Sequence, residues 1–285
     1  MKTLDILNGS ASLLHLGLGI GFGLYFMYLN RTNPNNPVQG IETSVRQHEL
    51  VYTGENTVNA PITRTWVSRE QYIFDVKNIQ WLLVLFFLIT AGFHAFYYFN
   101  SGNSGLYTVA ITDKNNYFRW IEYSITATMM LFIIAYSSGV KDIEVYTLLF
   151  ATNIAMIAQG QLIEVAIREK GDWKTPMLVG FLLLICEFVS IFRALNQRFK
   201  EINSYIESHP IATGGFNIPK WLAYLGIVLF IMFSSFGFIS LWGAYHQEQY
   251  ETVEMLYIIF SFVAKATLGF FLAFGLSQRQ NRQMN

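Results

Sequence analysis

Ile258-Ile259-Phe260-Ser261-Phe262-Val263-Ala264-Lys265-Ala266-Thr267-Leu268-Gly269-Phe270-Phe271-Leu272 is an apolar run interrupted by two hydroxyls, one glycine and one charge. A charge at mid-bilayer costs at least about 2.5–3.5 kcal/mol on insertion scales. Lys265 stands about fourteen residues into its apolar segment, Glu251–Ser277, where its stem reaches neither surface easily. A lysine held there must be paired with an acid, neutral, or covalently modified.

That segment is the last of seven runs near the ~20 apolar residues a spanning helix needs. The others are Ile6–Leu29, Ile79–Asn100, Asn115–Ser138, Asp142–Ile167, Trp173–Gln197 and Pro219–Tyr245. Composition agrees: 53% hydrophobic, 16% aromatic and 13% charged, against about one quarter charged in soluble chains. The fold class expected is an all-α membrane protein, a seven-transmembrane-helix bundle whose single domain takes in 1–285. The opening run exceeds the roughly 7–15 residues of a secretory h-region and no small-x-small cleavage site follows it, so it reads as the first span. Its Gly17, Gly19, Gly21 and Gly23 suit close helix packing in lipid.

The 30–78 loop is too long for a plain connection and is expected to be structured. After the turn-rich Asn33-Pro34-Asn35-Asn36-Pro37, the runs Leu50–Thr53 and Ile62–Val67 flank Gly54-Glu55-Asn56, the pattern of a β-hairpin. A second longer connection, around Asn196–Ile218, carries Pro210 and Gly214-Gly215 and follows a helix that overruns the membrane. Nineteen basic against nineteen acidic residues give zero net charge, which supports neither nucleic-acid binding nor polybasic recruitment; the partner implied is the bilayer. The one cysteine, Cys186, excludes an intramolecular disulfide and reads as a small apolar filler. On the N-terminal side stand Lys2, Lys114, Arg168, Lys170 and Lys174; on the other, Arg31, Arg46, Arg64, Arg69, Lys77, Lys141, Arg198, Lys200, Lys220, Arg279 and Arg282. Taken plainly, the positive-inside rule puts the C-terminus in the cytoplasm, although five of those eleven lie in the long first loop.

The best acid for Lys265 is Glu122 in the third span, three residues after Arg119 and on its face. Glu122 lies about six residues shallower than Lys265, an axial offset of about 9 Å, and the lysine stem leans back toward its own N-terminus to close most of it. Glu254, Ser261 and Lys265 fall on one face of the last span, and Asn153 and Glu164 on one face of the fourth. Glu187 sits mid-way along the fifth, and His15 and His94 within the first two. Each histidine reads more readily as a hydrogen-bonded interior residue than as a switch, although together they could accept a proton. No metal-ligand spacing, nucleophile–base pair or nucleotide loop is present, so neither a metal site nor an enzyme is expected. The sixth span carries Phe230, Phe233, Phe236, Phe238, Trp242 and Tyr245 with Gly226, Gly237 and Gly243. Facing a buried lysine, such rings form a slot for a flat conjugated ligand.

Seven spans, a mid-membrane lysine on the last and an Arg-x-x-acid on the third resemble a retinal-binding rhodopsin. Where ion-pumping microbial rhodopsins carry an aspartate four residues before the lysine, this chain has Ser261. The string Arg119-Trp120-Ile121-Glu122-Tyr123-Ser124, the Ser-x-x-x-Lys ending and the long first loop resemble heliorhodopsins across the spans. The resemblance implies all-trans retinal bound covalently to Lys265 as a protonated Schiff base, Glu122 as sole carboxylate counterion and Ser261 beside them. It further implies a pocket drawing on Arg119, Tyr123 and Thr126, on Asn153 and Met156, and on Phe233, Phe236, Gly237 and Trp242. His15 and His94 fit a cytoplasmic-side polar cluster, Glu164 and Glu254 interior carboxyls, and Glu187 has no counterpart. It implies a homodimer, a cytoplasmic N-terminus opposite to the charge count, and a slow photocycle suited to sensing, with no signalling partner indicated. Light-driven or light-gated proton transport through Glu164, Glu187 and Glu254 is the alternative, and a non-retinal transporter with a Lys265–Glu122 ion pair a third.

Overall fold

The computed structural model describes residues 2–32, 46–53, 63–70, 79–102, 104–140, 142–208 and 221–283. Its helices are α1 (Lys2–Thr32), α2 (Ile79–Phe99), α3 (Leu106–Thr112), α4 (Tyr117–Ser137), α5 (Ile143–Arg168), α6 (Lys174–Ser208), α7 (Trp221–Tyr245) and α8 (Tyr250–Gln283). All but α3 are long and apolar enough to cross a membrane, which makes seven spans among the described residues. The chain is an integral, multi-pass membrane protein.

Helix ends differ from the expected ones where apolar periodicity runs into polar sequence. α1 starts at Lys2 and α6 continues to Ser208, eleven residues past Gln197, because nothing in Arg198–Ser208 breaks a helix. α3 was not foreseen: seven residues are too few to display a helical period. In the first loop, β1 (Arg46–Thr53) pairs antiparallel with β2 (Thr63–Glu70), Leu50 opposite Trp66. The expected turn Gly54-Glu55-Asn56, the Asn33–Pro37 stretch, Pro210 and Gly214-Gly215 lie outside the described residues.

α1 packs on α2 and α8, α2 on α4, α4 on α5, α5 on α6, α6 on α7, and α7 on α8, which closes a ring. Leucines, isoleucines and tyrosine point outward along α1, among them Leu13, Ile20, Leu24 and Tyr28, as a lipid-facing surface requires. The interior is layered. Phe22, Phe26, Leu83, Phe86, Phe87, Leu131, Ile133, Phe188, Leu229 and Leu268 fill the half toward the first loop. Leu4, Ala11, Tyr97, Tyr107, Ile111 and Ile258 fill a smaller apolar layer at the opposite end, with α3 supplying Tyr107 and Ile111. Between them lie buried polar groups, among them His15, Thr90, His94, Glu122, Thr126, Ser261 and Lys265, while Arg119, Glu164 and Glu254 are buried nearer the N-terminal end.

Candidate functional site

Lys265 is 2% exposed, and its ammonium has two partners. Nζ donates to Glu122 Oε1 at 2.9 Å and to Thr90 Oγ1 at 2.8 Å. The axial gap between Glu122 and Lys265 is thus closed, as the leaning lysine stem requires. A pair so deep forgoes several kcal/mol of hydration per ion, and hydrogen bonds to the remaining lone pairs offset part of that loss. The second carboxylate oxygen has one such donor, the Tyr97 hydroxyl at 3.4 Å. Thr90, His94 and Tyr97 recur at helical spacing on one face of α2. Of these three, only His94 was picked out from the sequence; the polar stripe was the available signal for the other two.

From Lys265 a cleft runs between α4, α5, α6, α7 and α8. Trp120, Tyr123 and Thr126 line it from α4, Met156 and Ile157 from α5, and Phe181 and Leu184 from α6. Phe233, Phe236 and Gly237 close it from α7, and Ser261 lies one turn before Lys265 on the same wall. Gly237 is required there, since a Cβ would stand 2.8 Å from the Phe181 ring. The walls are mainly aromatic and aliphatic, with Lys265 and Ser261 among the few polar side chains. That arrangement fits a long conjugated aldehyde whose reactive end meets the amine.

Three expected pocket residues, Trp242, Asn153 and Arg119, lie elsewhere. Trp242 is outside the cleft lining, because five residues beyond Gly237 the helix has carried it toward the end of α7, where it stacks on His246 with centroids 4.9 Å apart. Asn153 is fully buried on the expected face, but its Nδ2 donates to Thr128 Oγ1 at 2.8 Å across the α4–α5 contact. Cys186 is exposed on α6 and so fills no interior gap.

Arg119 belongs to a separate cluster. Its guanidinium pairs with both Glu164 of α5 and Glu254 of α8, and it stacks 3.9 Å from the Tyr257 ring centroid. Asn116, at the α4 N-cap, donates its backbone N–H to Glu164 Oε2 at 3.2 Å and its Nδ2 to Glu254 Oε2 at 3.1 Å. The Trp120 indole donates to Glu164 Oε2 at 2.8 Å, and the Tyr250 hydroxyl to Glu164 Oε1 at 3.2 Å. The sequence placed Arg119 on the Glu122 face correctly, yet two carboxylates from neighbouring helices claim it.

His15 and His94 stack with centroids 5.4 Å apart at 19°. His15 Nδ1 meets Ala11 O at 2.7 Å and His94 Nδ1 meets Asn8 Oδ1 at 2.9 Å, while both Nε2 atoms lack a partner among the described residues. Glu187 is 1% exposed, and neither of its carboxylate oxygens has a hydrogen-bond partner among those residues.

The family model described as heliorhodopsin matches residues 38–276 of this chain. No curated protein matches it. Among solved structures, the chain is similar to the crystal structure of Exiguobacterium sibiricum rhodopsin, with 14% identity, 96% of each chain covered and a TM-score of 0.57. It is also similar to the crystal structure of thermophilic rhodopsin, with 10% identity, 99% of this chain and 97% of that one covered, and a TM-score of 0.55. At such identities these two likenesses concern the fold, a microbial-rhodopsin bundle.

Proposed function

We propose, for a chain that belongs to the heliorhodopsin family, that it is a photoreceptor carrying all-trans retinal on the Lys265 amine, with Glu122 as counterion. The observation that carries this reading is a single amine, buried mid-span, 2.9 Å from one carboxylate and at the head of an apolar cleft. When bound, retinal supplies visible absorption and a light-driven isomerisation. The chain supplies the rest. Glu122 holds positive charge at the Lys265 nitrogen, Tyr97 steadies the far carboxylate oxygen, and Thr90, which accepts from the free amine, stands beside that nitrogen. Trp120, Tyr123 and Phe236 exclude water from the cleft walls, which strengthens that charge pairing. His15 and His94, whose Nε2 atoms lack a partner among the described residues, are candidate proton acceptors.

A sensory role is favoured over transport by two features. Ser261 stands where a second carboxylate would receive a proton, and the half of the bundle toward the first loop is packed with Phe22, Phe26, Phe86, Phe87 and Leu131. Buried Glu187 is the one observation that favours conduction. We place the N-terminus in the cytoplasm and the chain in a homodimer, both on family resemblance.

The test is reconstitution with all-trans retinal under a pH titration. A visible band is expected that vanishes in Lys265→Ala and, in Glu122→Gln, shifts to the red or loses its proton. Folded wild-type protein that stays colourless would overturn the retinal reading and leave Lys265 and Glu122 as an ion pair.

A further inference from the structure

Two cavities share a wall made of Trp120, Gly160, Ile163, Ser240 and Tyr257. The cleft described above has Trp120 in its wall, and a second, smaller cavity reaches from Lys114 and Gln247 down to Glu164 and Tyr250 with Trp120 again in its wall. Trp120 therefore forms part of the partition between the cleft and the polar end of the molecule on the N-terminal side.

Its contacts on the two faces differ in kind. Toward the cleft it offers ring surface, standing edge-on to Tyr257 at 5.9 Å and to Tyr123 at 6.4 Å. Toward the cluster it offers its only donor, Nε1, to Glu164 Oε2 at 2.8 Å, and its ring lies 4.6 Å from the Arg119 guanidinium carbon. Among the described residues, no other side chain lining the cleft has a hydrogen bond into the Arg119–Glu164–Glu254 cluster. Packing confines the ring as well, because a Cβ built at Gly160 would overlap it. A ring confined on the α5 side cannot yield to pressure from the cleft without moving its N–H relative to Glu164.

We propose that Trp120 transmits displacement in the cleft to the Arg119–Glu164–Glu254 cluster by shifting the indole N–H away from Glu164. This rests on the retinal reading above. Glu164 keeps three other partners when the indole withdraws: Arg119, the Asn116 N–H and the Tyr250 hydroxyl. The carboxylate then follows those three, which belong to α4 and α8, while its own backbone belongs to α5. The product is a change in the α4–α5–α8 contact at the N-terminal end, with Trp120 acting as a positioning residue.

Light-minus-dark infrared spectra test it, with Glu164→Gln used to assign the Glu164 carboxyl bands. Wild type is expected to show a Glu164 difference band and an indole N–H band that moves on selective nitrogen labelling of tryptophan. In whatever pigment Trp120→Phe forms, the ring lacks the donor, and the Glu164 band is expected to lose most of its amplitude relative to the retinal bands. A Glu164 band of wild-type size in Trp120→Phe overturns the proposal. Should that variant yield no pigment, wild type alone decides: no label-sensitive N–H band in its difference spectrum overturns the proposal too. A dark comparison of labelled protein before and after retinal addition supplies a readout independent of photochemistry, and the same N–H band is expected to shift. Absence of any visible band in wild type would sink the retinal reading itself, an outcome distinct from a pigment whose Glu164 is silent.

Discussion

Thr90 is a small group in a decisive place, because the Lys265 ammonium divides its bonds between it and Glu122. A hydrogen bond to a charged partner is worth about 1.5–3 kcal/mol. Thr90→Val, which keeps the shape and removes the acceptor, is expected to lower stability by about that amount and to shift the visible band, while Thr90→Ser restores both. Thermal melts with parallel spectra decide it; unchanged melting and colour in Thr90→Val would mean the contact carries no energy. Glu187 presents the reverse case. An unsatisfied buried polar group costs about 1–3 kcal/mol, and both of its oxygens lack partners among the described residues. Glu187→Met is expected to melt higher by a corresponding margin, and a lower melting temperature would reveal a partner that the carboxylate needs. The pairing of Lys265 with Glu122 was legible because a charge in an apolar run demands an explanation. Thr90 was not, since a threonine in a spanning helix can satisfy its hydroxyl on its own backbone, as Thr126 does on Glu122 and Thr147 on Ile143.

Two glycines separate local helix propensity from packing between helices. Replacing glycine by alanine in a helix interior gains about 1 kcal/mol when nothing opposes it. Gly17 on α1 has nothing within 4 Å of a built Cβ, so Gly17→Ala is expected to be neutral or stabilising by up to about that amount. At Gly160 on α5 the new Cβ overlaps the Trp120 ring, and overpacking costs about 1–3 kcal/mol. Gly160→Ala is therefore expected to melt lower and to shift the pigment's band; two variants that melt alike would refute this account of the α4–α5 contact. The faces of the helices could be read from periodicity, and Asn153 and Arg119 do point inward. Periodicity names a face but not the neighbour that meets it, which is why Asn153 reaches Thr128 rather than the cleft and Arg119 reaches Glu164 and Glu254 rather than Glu122.

Across the whole molecule, the polar groups around Lys265 lie between two apolar layers, the thicker one toward the first loop, and a second polar cluster around Arg119 lies toward the N-terminal end. Proton passage through about 30 Å of hydrocarbon needs a chain of polar stations, and the thicker apolar layer interrupts such a chain. No stationary photocurrent is expected from wild type under voltage clamp. A steady current abolished by Glu187→Gln would shift the function to conduction. The spans were legible from hydropathy, because lipid forces backbone polar groups into helices. The layering was not, since it depends on which residues of seven separate helices arrive at the same depth. α3 also went unread, and its placement has an experimental consequence. Its Tyr107 stacks on Tyr97 at 4.8 Å, and Tyr97 in turn donates to Glu122. The N-terminal face thus stands two rings away from the proposed counterion, so a ligand that tilts α3 is expected to retune the pigment's absorption, and a dark titration in a cuvette would serve as a binding assay that needs no label.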